Sequence, residues 1–218
     1  MKAGSVPGAG FFIPPKKPLW YHERMTDIPG ATFVFIGRPG SGKGTQIAMF
    51  KEWLAGAGYA PAVISVGDAG RELAKKTTPI GAWVKKMTEA GEAFPSWLAG
   101  ALMVDALETG LATPQTVLII DGSPRRVYEA ELLDDCMKVL GRPAPVAIVL
   151  DIDESESRAR LTARARTDDT PDGIERRLAW FKSFVEPVIG YYGNRAMKIR
   201  GIGGMEAVRS AIVASLAA

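Results

Sequence analysis

Apolar residues are distributed along the chain in two rhythms. Five short runs rich in β-branched residues are almost continuously apolar: TFVFIG at 32 to 37, PAVISVG at 61 to 67, TVLIID at 116 to 121, PVAIVLDI at 145 to 152 and AMKIRGI at 196 to 202. Runs of this length suit strands buried on both faces. Between them the spacing turns helical, as in Ile47, Phe50, Trp53 and Leu54, or Ile174, Leu178, Phe181 and Val185. Strands alternating with helices predict an α/β fold in three layers, a five-stranded parallel sheet covered on both sides.

The link between the second and third runs, residues 68 to 115, is too long for a simple crossover. It holds GRELAKKTTPIGAWVKKMTEAGEAFP followed by the helical stretch SWLAGALMVDALETG. A small helical insertion rising above the sheet is predicted there. Asp121-Gly122 and Asp168-Asp169 fall where a strand or helix ends, positions where loops carry function.

Composition narrows the possibilities further. A chain of 218 residues holds one sizeable core and leaves little room for two. Hydrophobic residues at 47% and charged ones at 23% are ordinary for a globular chain. No apolar stretch approaches the roughly 20 residues of a membrane span. A formal net charge of +3 gives no bulk attraction for nucleic acid. With one cysteine, Cys136, and one histidine, His22, there is no intrachain disulfide and little scope for Cys/His metal sites or histidine catalysis. The chemistry must rest on lysine, arginine and carboxylates.

The first thirty residues are rich in proline and glycine, and their FFI run is shorter than the roughly 7 to 15 apolar residues of a secretory leader. Cytoplasmic residence is expected. Phe11, Phe12, Trp20 and Tyr21 are too apolar for a typical solvated tail, which predicts that part of this arm lies on the body.

Directly after the first run stands GRPGSGKGTQ, residues 37 to 46. A strand, a glycine-rich turn with Lys43, and then a helical pattern is the context of a P-loop. Backbone N–H groups of the turn and helix N-terminus face an anion there, and the lysine neutralises terminal phosphates. Gly40 and Gly42 let the backbone turn inward. A glycine, Gly44, occupies the place where the usual signature has Ser or Thr, and Thr45 follows it.

This variant resembles the adenylate kinases and the wider nucleoside monophosphate kinase family, and further segments agree in the family's order. ISVGDAGREL (64 to 73) is similar to the segment opening the monophosphate-binding insertion, GEAFP (91 to 95) to the segment bordering the acceptor base, and LIIDGSPRRVYEAELLD (118 to 134) to the strand-DGxPR segment. SRARLTARARTDDTPDGIERRLAWFKSFVEPVIGYY resembles the lid and return helix of the short-lid members. The likeness spans about residues 32 to 200. It implies a P-loop α/β domain at 32 to 218, with an insertion at about 66 to 95, a lid at about 164 to 172 and an amino-terminal extension at 1 to 31.

The resemblance also implies roles. ATP would lie on Gly40, Ser41, Gly42, Lys43, Gly44 and Thr45, with Arg160 stacked on its base. The acceptor monophosphate would meet Val66, Arg71, Glu92, Ala93, Phe94, Gly122, Arg125 and Glu129. Lys43, Arg125, Arg164, Arg166 and Arg177 would carry the transferred charge, Arg166 ahead of the DD pair and Arg177 ahead of the return helix. Mg2+ would sit near Thr45 and, through water, Asp121. Arg160 and Arg164 stand four apart, on one helical face. The implied reaction moves phosphate from ATP to a nucleoside monophosphate, AMP first, in a monomer without nucleic-acid or membrane partners. The short lid has no room for a zinc loop.

Two positions depart from the AMP-selective pattern. Val66 replaces a threonine, and Glu129 a glutamine. Glutamine both accepts and donates, whereas a carboxylate only accepts, so adenine readout is weakened and guanine or cytosine becomes a better match. Alternatively, Glu129 faces solvent or a neighbouring arginine such as Arg126. A UMP/CMP or GMP-type kinase, or a nucleotide-binding module that does not turn over, is the competing assignment.

Overall fold

The computed structural model describes residues 28 to 90, 92 to 165 and 169 to 216. Phe11, Phe12, Trp20 and Tyr21 of the amino-terminal arm, together with Arg166 and Asp168, lie outside these residues.

All five apolar runs form strands: β1 Thr32–Gly37, β2 Pro61–Ser65, β3 Val117–Asp121, β4 Val146–Asp151 and β5 Ala196–Arg200. They make one parallel sheet in the order β2-β3-β1-β4-β5. Alternate residues go to opposite faces. Val34, Ile36, Leu118, Ile120 and Val149 meet a core with helices α4 (Ser96–Gly110), α5 (Val127–Val139) and α8 (Glu186–Tyr192). Phe33, Phe35, Ile119, Ile148 and Leu150 meet the other, with α1 (Lys43–Gly56) and α9 (Met205–Leu216). Phe50 of α1 is fully buried there, its ring edge-on to Phe33 at 5.3 Å. Burial of both faces is why β1, β3 and β4 lack polar alternation, whereas the edge strands β2 and β5 bury only Ile64 and Ile199.

The second run is shorter than its apolar character implied. It stops at Ser65, not 67, because the Ser65 hydroxyl accepts a hydrogen bond from the Asp68 amide and caps helix α2 (Val66–Ala74). Helix α3 (Pro79–Glu89) follows, capped by Thr78 with proline at its first position. These two short helices form the insertion, and α4 returns the chain to the sheet.

Helix α6 (Glu154–Arg164) begins on an Asp153 cap and ends at Ala165, whose φ of 50° is left-handed. Helix α7 (Pro171–Trp180) begins on a Thr170 cap. It runs into a π-helical turn at Phe181–Val185 and then α8. Pro187 supplies a reason for the wide turn: it has no N–H to give and its ring crowds the preceding carbonyls. Ile174, Leu178, Phe181 and Val185 are nevertheless all buried. Among the described residues, no helix is long and apolar enough to cross a membrane.

Candidate active site

The turn after β1 is shaped by two glycines. Gly37 lies so close to its surroundings that an added Cβ would fall 2.6 Å from Ser41 Oγ and 2.8 Å from the Leu150 carbonyl oxygen. Gly42, at φ 89°, is the N-cap of α1, and no side chain caps that helix. The first turn of α1 also holds no acidic residue. Its free N–H groups and positive dipole end are therefore left for an anion. Ser41 Oγ is buried without a protein partner.

Lys43 closes the turn. Its ammonium donates to the Gly37 carbonyl at 2.7 Å and the Arg38 carbonyl at 3.4 Å. Enclosure by the protein, then the Arg125 charge, push its pKa down to about 8, with Asp121 pulling the other way and Arg164 adding to the fall. This costs stability progressively as pH falls from about 10.5 to about 8 and in full below that, because the unfolded chain holds the proton more firmly. A bound polyphosphate supplies the missing negative charge and raises the pKa again.

Nucleotide binding above about pH 8 should therefore take up a proton, and affinity should fall as pH rises through that value. Calorimetry at about pH 8.5 in two buffers of different ionisation heat reads the uptake. Equal apparent enthalpies in both would contradict it.

Beside the turn opens a cleft of about 1230 Å³, lined by Gly37, Pro39 and Lys43 on one side and Gly122, Ser123, Pro124 and Arg125 on another. This exceeds the roughly 300 to 1,000 Å³ of a single small-ligand pocket. Glu92 and Ala93 border it from the insertion, and Arg177 from α7. Arg177 lies inside the return helix and not ahead of it, because Thr170 and Pro171 start that helix early.

Arg164, at the end of α6, and Arg177, on α7, meet on one carboxylate. Arg164 donates from Nε and Nη2 to the two oxygens of Asp169, both at 2.8 Å, and Arg177 Nη2 donates to the same group at 2.6 Å. The Asp169 carboxylate is fully buried. Arg160 of the same helix turns elsewhere, donating to the Gly201 carbonyl at 2.9 Å and to Glu156 at 2.6 Å. It thus lies between the phosphate turn and the loop after β5, and α6 is tied to that turn by Ser157 Oγ donating to the Pro39 carbonyl at 2.5 Å.

Arg71 is exposed on α2 and pairs with Asp68. Gly67 and Gly122 lie side by side, a Cβ built on Gly122 falling 3.9 Å from the Gly67 nitrogen, and each is close to its own arginine: built Cβ atoms would lie 3.5 Å from Arg71 Nη1 and 3.7 Å from Arg125 Nη2. Val66 turns its side chain into the core, where it is only 3% exposed. Glu129 is also buried. Its carboxylate accepts from the Arg125 amide at 2.7 Å and Ser123 Oγ at 3.2 Å, and lies 3.6 Å from Arg126. As the third residue of α5 reaching back over the helix start, it stabilises the exposed amides there.

Thr45 is exposed in the first turn of α1, as is Gly44, and Asp121 ends β3 half-buried. Among the described residues, no three His, Cys, Asp or Glu side chains form a metal cluster. One carboxylate and one hydroxyl are a poor cage for a bare ion but fit Mg2+, which keeps several waters and draws its other ligands from substrate phosphates.

Sequence patterning did not single out Asp169's grip on both arginines, or Arg176 and Trp180, which also line the cleft. The arginine doublet at 176 and 177 and the acidic residue after the lid arginines were the available signals.

A model of the family described as adenylate kinase matches residues 35–197. The chain is 35% identical to adenylate kinase 1 of Nostoc sp. strain PCC 7120, over 84% of this chain and 97% of that protein. It is also 35% identical to the adenylate kinases of Xylella fastidiosa strain 9a5c and Kocuria rhizophila, with the same shares of each chain covered.

Proposed function

Since the chain belongs to the adenylate kinase family and is a nucleoside monophosphate kinase, we propose that it transfers the terminal phosphoryl group of Mg-ATP to AMP, giving two ADP. The observation that carries this reading is a single cleft bordered by both the uncapped, lysine-bearing phosphate turn and the Gly122-to-Arg125 turn. AMP as acceptor rests on the relatives, which are named for adenylate. A monomeric, cytoplasmic enzyme remains the expectation from the family likeness.

In this reading the phosphorus bond to the bridging oxygen of ATP breaks while one forms to an oxygen of the acceptor phosphate. That oxygen is already anionic, so no side chain need remove a proton. The work is alignment and charge stabilisation. Lys43 and the free amides of α1 hold the donor phosphates. Arg71 and Arg125 approach the acceptor phosphate, and Arg164 and Arg177 exchange Asp169 for the migrating group. Bidentate guanidinium suits phosphate oxygens better than an ammonium does. Thr45 and, through water, Asp121 would hold Mg2+, which neutralises the charge between the donor phosphates. Arg166 is assigned to the same phosphates by the family pattern alone. Closure of the insertion and lid would keep water from competing.

Base choice follows from Glu129. Its carboxylate is occupied by the turn and 1% exposed, which favours acceptor reading by backbone and surrounding side chains over reading by Glu129. A coupled assay across AMP, GMP, CMP and UMP should show transfer, with AMP preferred, and Glu129→Gln should leave that order unchanged. A parent chain that only hydrolyses ATP would overturn the activity. A Glu129→Gln chain whose AMP-to-GMP ratio rises severalfold would return the base-reading role to that residue.

A further inference from the structure

Arg126, the residue after the phosphate arginine of the DGSPR turn, joins three parts of the cleft on one guanidinium. Its Nη1 donates to the Phe94 carbonyl at 2.8 Å, at the exit of the insertion. The same nitrogen lies 3.6 Å from the buried Glu129 carboxylate, whose other oxygen holds the Arg125 amide. Its guanidinium also stands 5.6 Å from the Trp180 ring centroid and 5.2 Å from that of Phe184, on the return helix and its π turn. Those two rings are themselves in contact, 5.2 Å apart.

Each of the three parts carries a phosphate-side element. Phe94 lies over Gly70, next to Arg71. Glu129 fixes the turn bearing Arg125, whose own guanidinium is 5.8 Å from Trp180. Trp180 lines the cleft three residues after Arg177 on α7. A planar guanidinium donates in its plane and stacks with its faces at once, which a lysine ammonium does not do.

We propose that Arg126 is a positioning residue for the acceptor half of the reaction. It keeps the insertion, the Arg125 turn and the return helix in one register, so that Arg71 and Arg125 meet the acceptor phosphate in line with the migrating group held by Arg177. It acts through these neighbours and needs no contact with substrate. The proposal rests on the kinase reading above.

The test is steady-state kinetics of Arg126→Lys and Phe184→Leu in the full chain, with ATP and AMP varied separately and the melting temperature recorded. Arg126→Lys keeps the charge but loses the stack. It should raise the KM for AMP and lower kcat, by roughly 10- to 100-fold in kcat/KM for AMP, while the KM for ATP stays put. Phe184→Leu, at a 41% exposed position that tolerates change, should move the same constant in the same direction by less.

A lower melting temperature with the parent's KM for AMP in both variants would reduce Arg126 to a stabilising contact and overturn the proposal, as would a rise in the KM for ATP equal to that for AMP. If Arg126→Lys does not fold, Phe184→Leu decides alone. A parent chain that transfers to no acceptor would sink the kinase reading and this one together. An active parent with unmoved variants sinks only this one.

Discussion

Lys43→Met is expected to fold normally and to lose roughly 10²- to 10³-fold in kcat, the cost of removing one preorganised electrostatic donor. Its ammonium bonds directly to two carbonyls of the phosphate turn, those of Gly37 and Arg38. The cleft already pays to keep it charged, as the fall in its pKa to about 8 shows. Methionine fills similar space without that cost, so the melting temperature should hold or rise while turnover collapses. The opposed signs make the result diagnostic. A variant that keeps the parent's kcat would remove Lys43 from the chemistry, and one that merely melts early would show a structural lysine.

Gly37→Ala is expected to lose about as much through geometry alone. The new Cβ would stand 2.6 Å from Ser41 Oγ and 2.8 Å from the Leu150 carbonyl oxygen. Ser41 Oγ can rotate, but Leu150 belongs to β4, paired with β1 at this very residue. The turn must therefore shift, and a displacement near 1 Å in a phosphate cradle costs on the order of 10²-fold. Both kcat and the affinity for ATP should fall, since the same amides hold donor and transition state. Wild-type ATP affinity in Gly37→Ala, measured by calorimetry, would show that the turn absorbs a side chain.

The five strands and the phosphate turn were legible because their signals are local. An apolar run buried on two faces needs no distant partner to be recognised, and glycines around Lys43 report a backbone requirement in the residues themselves. The end of β2 was less so, since a single hydroxyl, Ser65, outweighed the β-preference of Val66. Arg164 and Arg177 are singled out through the family resemblance, but what they hold is not. Asp169 joins Arg164 and Arg177 through a fold of the chain that residue order does not show.

Glu129 illustrates the same limit. Its position beside the acceptor turn was readable, its direction was not, because whether it faces a base or the Arg125 amide is decided by burial. Arg126 and Trp180 likewise acquire their meaning from contacts between the acceptor turn and a helix more than fifty positions later.

The carboxylate of Asp169 has one more effect. Because Arg164 and Arg177 are satisfied by an anion of the chain itself, a nucleotide taking them up as proposed would gain only the difference between two similar contacts. Ground-state grip would thereby be tempered, and a departing product would be replaced at once by a resident substitute. Such an arrangement favours a catalyst that lets go of what it has made.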